Sequence, residues 1–169
     1  MDHFAEHMVK KRPSSQDRMK QGLILAAAVI LSVVISVIAW MTGWIFLLVL
    51  IIGAIYGAYY LMSNCSTEYE YTVTNGELDV DKILGKRKRV HLLTVQVAKI
   101  TAFGAYTDQI PDQEQTTLFL CSDNTGEGAY YADASAEGYG AIRLIFTPSA
   151  EMISTIALFL PASLRRQFK

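Results

Sequence analysis

The spacing of hydrophobic positions changes twice along the chain. Residues 23 to 62 are almost all apolar, and the 47 residues between Lys20 and Glu68 include no charged one. From Glu68 onward, apolar and polar residues alternate with a period of two. Beyond Pro148 the apolar positions recur at helical spacing.

The apolar run predicts two membrane spans. As one helix, its 40 residues would be about 60 Å long, against a hydrocarbon core of about 30 Å. Span one is expected at Leu23 to Met41 and span two at Trp44 to Met62, with the turn at Thr42-Gly43. Amphipathic rings favour the headgroup boundary. Trp40 and Trp44 beside the turn, and Tyr59 and Tyr60 near the far end, are therefore expected interface anchors. The competing reading is a buried hairpin of a soluble protein, but a domain this small cannot cover two such helices. Residues 1 to 22 carry Lys10, Lys11, Arg12, Arg18 and Lys20, whereas the turn between the spans has no charge. Lysine and arginine set orientation, so residues 1–22 read as a basic cytoplasmic lead-in. The chain is expected in the inner membrane with both termini cytoplasmic. No A-x-A-like site follows span one, and Met62-Ser63-Asn64 is a poor lipidation context for Cys65, so the chain reads as uncleaved.

Residues 63–169 read as a β-rich domain with a terminal helix. Glu68 to Thr74 alternates strictly, which places Tyr69, Tyr71 and Val73 inward. Asn75-Gly76 is a strong hairpin signal, because both residues tolerate positive φ. Glu77 to Leu84 returns, with Leu78 and Val80 inward, and Gly85-Lys86 makes a second turn. Arg87 to Phe103 is one long stretch rich in β-branched residues. A polar loop, Thr107 to Gln115, contains Pro111. Further strands are expected at Thr116 to Cys121, Ala129 to Asp133 and Ala141 to Thr147. Thr147 is the expected N-cap and Pro148 the first residue of a helix over 148–160, and a short turn is expected at Leu164 to Phe168. The pattern yields about six strands and a capping helix. Only about five residues, reaching about 17 Å, join span two to the first strand, which holds the domain close to the headgroups.

The stretch Y-E-Y-T-V-T-N-G-E-L-D-V-D (Tyr69 to Asp81), the basic Lys86 to Arg89 and the ending I-F-T-P-S-A-E-M resemble bacterial PH-like membrane proteins. These are short proteins of unknown function with helical hairpins beside a PH-type fold. The resemblance spans roughly residues 20 to 165. It implies a seven-stranded PH-like barrel with a capping helix, no established activity and no catalytic residues.

Charge narrows the partners. Lys and Arg total 15 and Asp and Glu 16, a net charge of −1, so no excess points to nucleic acid. Residues 65 to 169 hold 10 basic and 13 acidic side chains, so the domain as a whole is not drawn to an anionic surface. The run Lys86, Arg87, Lys88 and Arg89 is the main candidate for lipid or partner contact, since each basic group near an anionic leaflet contributes roughly 1 kcal/mol. The plainer reading is a solvated strand tip countered by Glu77, Asp79 and Asp81. Tyr130 and Tyr131, with Tyr139 nearby, are a candidate partner surface, or equally barrel-edge residues.

Other motifs carry less. His3-Phe4-Ala5-Glu6-His7 spells H-x-x-E-H, the inverted zinc-protease pattern, but it sits at a terminus and has no third ligand. A polar lead-in is expected instead, with no metal and no cofactor. Asp108, Asp112 and Glu114 fit no calcium loop. Gly126-Glu127-Gly128 and Gly138-Tyr139-Gly140 lack the ending of a phosphate loop and read as turns. No G-x-S-x-G motif occurs, which argues against a hydrolase, and no Asp, Glu, Lys, Arg or His lies in the spans, which argues against a transporter. Cys121 is expected to be buried. Gly53 and Gly57 form G-x-x-x-G, which permits close helix contact. Contact with span one is favoured, and a homo-oligomer stays open. The sequence thus reads as a membrane-tethered, non-enzymatic interaction module with a protein partner. A lipid-headgroup sensor is the alternative, and an enzyme on a membrane substrate is the least favoured.

Overall fold

A computed structural model describes residues 3–107, 110 and 116–166. The chain forms two compact units. One holds residues 13–67 with 84–86, and the other holds the remaining β-rich part, including residues 1–12.

In the first unit, helix α1 (Ser15–Thr42) starts eight residues before the predicted span. A capping box explains this: Ser14 Oγ accepts the Asp17 N–H, and Asp17 Oδ2 accepts the Ser14 N–H at 3.0 Å. Gly43, at φ 70°, ends the helix in the left-handed conformation that glycine adopts freely. A single 3-10 turn, Ile45–Leu47, leads into α2 (Leu48–Asn64). The break at Gly43 falls at the predicted turn, while α1 begins before and α2 after the predicted span starts. Both helical segments are long and apolar enough to cross a membrane. Hydroxyls in α1 return to the backbone, Ser32 to Ala28 O at 2.8 Å and Ser36 to Ser32 O at 2.9 Å, so none is left unsatisfied in an apolar setting. The groove between the helices is lined by Ala28 and Ser32 of α1 and by Ile51, Ile55, Ala58 and Met62 of α2. Gly53 and Gly57 lie away from it: a Cβ at either would meet nothing within 4 Å. The favoured contact of G-x-x-x-G with span one is therefore wrong. At about 100° per residue, positions two before and two after Ile55 fall on the opposite side of α2.

The second unit contains eight strands in two sheets among the described residues, where six or seven were expected. One sheet has the order β1-β2-β3-β4, comprising Phe4–Lys10, Thr67–Thr74, Glu77–Leu84 and Lys88–Gln96. The other has the order β5-β7-β8-β6, comprising Ala102–Ala105, Tyr130–Ala136, Gly140–Phe146 and Thr117–Leu120. In this sheet β6 runs parallel to β8, and the other pairs are antiparallel. The expected single stretch from Arg87 to Phe103 is two strands in different sheets, divided by a 3-10 turn at Val97–Lys99.

The largest departure is β1. Phe4–Lys10 is no loose lead-in. It pairs antiparallel with β2, from Phe4 opposite Thr74 to Lys10 opposite Glu68. Ala5 and Val9 point into the core, and His3 is held to the β2–β3 turn, where the Asn75 N–H donates to His3 O at 3.0 Å. The two apolar helices are therefore an insertion between the two strands of one antiparallel pair.

The core joins both sheets and the terminal helix. Tyr71, Val73, Leu78 and Val80 are fully buried, as the alternation predicts. Tyr71 meets Phe146 edge to face at 5.4 Å between ring centres. Helix α3 (Ala150–Phe159) closes the core with Met152 and Ile156. Its N-cap is Ser149, not Thr147, and Ser149 Oγ accepts the Met152 N–H at 3.2 Å. Ser149 itself is extended (φ −75°, ψ 162°) and its hydroxyl supplies the cap, so the helix starts at Ala150, two residues later than expected. Proline disfavours helical geometry in the residue before it, and Leu160 before Pro161 is extended; a short α4 (Ala162–Arg165) follows. Phe168, Pro111, Asp108, Asp112 and Glu114 lie outside the described residues.

Candidate functional site

Polar side chains on β1 to β4 join across the strands. Glu70 on β2 lies beside the Glu6 carboxyl of β1 and pairs with Arg89 of β4. Arg89 also reaches Asp81 of β3 at 3.7 Å. His91 Nδ1 lies 2.8 Å from Asp81 Oδ1, and its Nε2 lies 3.2 Å from Thr94 Oγ1. The Thr94 hydroxyl donates to Asp79. His91 and Thr94 share the outward side although three residues apart, because Leu93 between them is buried and the alternation of β4 is interrupted. Burial and the neighbouring Glu6 carboxyl raise the Glu70 carboxyl above its ordinary value, and Arg89 opposes them. An acid, a histidine and a hydroxyl here stand in line, with the hydroxyl also bonded to Asp79.

Beside the network lies a cleft of about 720 Å³, with His91 and Thr94 on one wall and Glu77, Lys99, Glu137 and Tyr139 around it. Tyr139 is half exposed, and its ring stands edge-on to Phe119 at 5.0 Å.

The basic run divides. Lys86 occupies the turn at φ 58° and belongs to the helical unit, whereas Arg87, Lys88 and Arg89 belong to the β-rich unit. Arg89 is engaged by carboxylates, as the plainer reading anticipates, although the partners are Glu70 and Asp81 rather than Glu77. Tyr130 and Tyr131 make no common surface. Being consecutive on a strand they face opposite ways: Tyr130 packs on Phe103 at 5.6 Å, and the Tyr131 ring lies under the Arg143 guanidinium at 5.5 Å. Trp40, Trp44, Tyr59 and Tyr60 are all exposed on the helical unit. His3 and His7 stand on an extended segment, where a four-residue step covers about 13 Å, too far to share a metal. His7 instead faces Tyr71, and His3 faces Phe159. No group of three or more His, Cys, Asp or Glu suited to a metal occurs among the described residues.

Buried groups complete the picture. Arg143 Nε and Nη2 donate to the two oxygens of Asp133 at 2.7 and 2.8 Å, across opposed positions of β7 and β8. Cys121 is buried as expected, and burial pushes its thiol up to about 12. The Tyr71 hydroxyl donates to Cys121 O, and burial raises its pKa as well. Cys65 is half-buried at the end of α2.

The family model described as Bacterial PH-like domain (DUF6106) matches residues 1–166. The chain belongs to this bacterial PH-like family. Because the match begins at residue 1, it takes in β1 and the inserted helices together with the sheets. No curated protein and no solved structure matches this PH-like chain. Sequence reasoning missed β1, the His91 network and the cleft. The signals available were the weak alternation of Ala5, His7 and Val9, and the acidic side of Glu77, Asp79 and Asp81 opposite His91.

Proposed function

We propose that the protein is a membrane-anchored interaction module without a reaction of its own, in which the PH-like domain works at the cytoplasmic face of the membrane and engages a protein partner. The observation that carries this reading is the pairing of Phe4–Lys10 with Thr67–Thr74 around the inserted helices. Two strands of one ladder must lie on one side of a bilayer, which suits a hairpin of two spans. The flanking Lys10, Lys11, Arg12, Arg18 and Lys20 favour the cytoplasmic side. A tether of this kind replaces affinity with proximity, since the local concentration of a membrane-bound partner is already high.

The reading of Lys86 to Arg89 as a sensor of anionic headgroups has less support, because Arg89 is already held by Glu70 and Asp81. Photo-crosslinkers placed on the domain of the full-length protein, in its native membrane, test the proposal. A recurrent protein adduct supports it. Adducts to lipid alone, or labelling of Cys65 only from the outer side of intact cells, would overturn it.

A further inference from the structure

Several carboxylates of the β-rich unit are engaged by neighbouring side chains. Glu70 and Asp81 meet Arg89, Asp133 meets Arg143, and Asp79 accepts from Thr94. Glu77 and Glu137, by contrast, make no ion pair and no side-chain hydrogen bond among the described residues, and both line the cleft of about 720 Å³. Lys99 lines it too and pairs with neither glutamate, so the two carboxylates outnumber the one lysine. Tyr139 adds an exposed ring whose orientation Phe119 fixes.

Unpaired carboxylates and an exposed tyrosine ring in one concavity suit a cation. A guanidinium or ammonium gains charge-assisted hydrogen bonds from the acids and an attraction to the ring face. The volume is that of a site for a side chain or two rather than for a folded surface. Gln96 and Ser135 on the wall supply hydrogen bonds for the backbone that carries the cation. We infer that this cleft is the docking site for an arginine- or lysine-bearing segment of the partner protein. The inference rests on the interaction-module reading above and names the site and the chemistry of its ligand.

The test uses the full-length protein in phosphatidylcholine nanodiscs and a fluorescein-labelled peptide, Gly-Ser-Arg-Gly-Arg-Ser-Gly-amide, followed by anisotropy. The expected result is saturable binding, weakened about tenfold or more by Glu77→Gln with Glu137→Gln and clearly weakened by Tyr139→Ala. Glu127→Gln, an exposed carboxylate elsewhere, leaves binding unchanged. Circular dichroism confirms that each variant is folded. Absence of saturable binding, or equal weakening by Glu127→Gln, overturns the inference. If native-membrane crosslinking still finds a protein partner while the peptide does not bind, the docking site is wrong and the module reading stands. If no partner is found either, both fail.

Discussion

Asp133 and Arg143 face each other across β7 and β8 with their side chains 5% and 7% exposed. Taking two charges out of water is expensive, and removing one leaves the other uncompensated. Asp133→Asn is expected to cost about 3 kcal/mol or more, seen as a lower Tm of the full chain in detergent. Replacing both by apolar residues of similar size is expected to cost much less. Glu70 sets a pH dependence. Its folded pKa lies above the ordinary 4.5, so the folded state holds the proton more tightly than the unfolded chain does. As pH climbs from the unfolded value through the folded one, the unfolded state loses its proton first and stability falls. Glu70→Gln is expected to flatten that fall, read as Tm against pH between about 4 and 7. Cys121, at about 12 and buried, is expected to resist maleimide until the domain unfolds, whereas the half-buried Cys65 reacts first. Equal labelling rates in the folded protein would contradict the placement of Cys121.

At the scale of elements, the reach of pattern reading follows from side-chain contrast. In β2, Tyr69, Tyr71 and Val73 stand against Glu68, Glu70 and Thr72, so the inward face is plain from the sequence. In β1 the contrast is inverted: the inward side offers only Ala5, His7 and Val9, while Phe4 and Met8 are outward and exposed. Neighbouring strands, not local pattern, decide such a segment. The break between β4 and β5 is likewise hidden, because Val97-Ala98-Lys99 contains neither glycine nor proline to mark it. The cleft was out of reach for another reason: its residues come from positions 77 to 139 and meet only once the sheets have formed. The β2–β3 turn offers a direct test of the packing. Gly76 has φ 90°, and a Cβ there would come within 2.9 Å of the Phe159 ring. Gly76→Ala is expected to destabilise by about 1 kcal/mol or more, measured as a drop in Tm, with Phe159→Ala relieving only the steric part.

The whole molecule is a β domain whose first strand pair is interrupted by a helical hairpin. Lys10 and Glu68 are opposed in the β1–β2 ladder, and two residues suffice to connect opposed ends of antiparallel strands. Replacing residues 11–67 by Asn-Gly is therefore expected to yield a folded domain free of the apolar helices, with a cooperative thermal transition and dispersed amide resonances. A fragment starting at Cys65 lacks β1, leaves the edge of β2 unpaired and is expected to aggregate. If the second fragment behaved as well as the first, β1 would be dispensable.

This interleaving also sets a timetable during synthesis. β1 leaves the ribosome first, yet its pairing partner follows only after 57 intervening residues, a delay of several seconds at roughly 10 residues per second. On the membrane-anchored reading proposed above, both apolar helices are delivered to the bilayer in that interval. Should one of them then fail to cross, Phe4–Lys10 and Thr67–Thr74 would be left in different compartments and the first sheet would never be completed. Correct insertion would thereby be a precondition for a finished domain, and a wrongly threaded chain would present itself to proteases as an unfolded one.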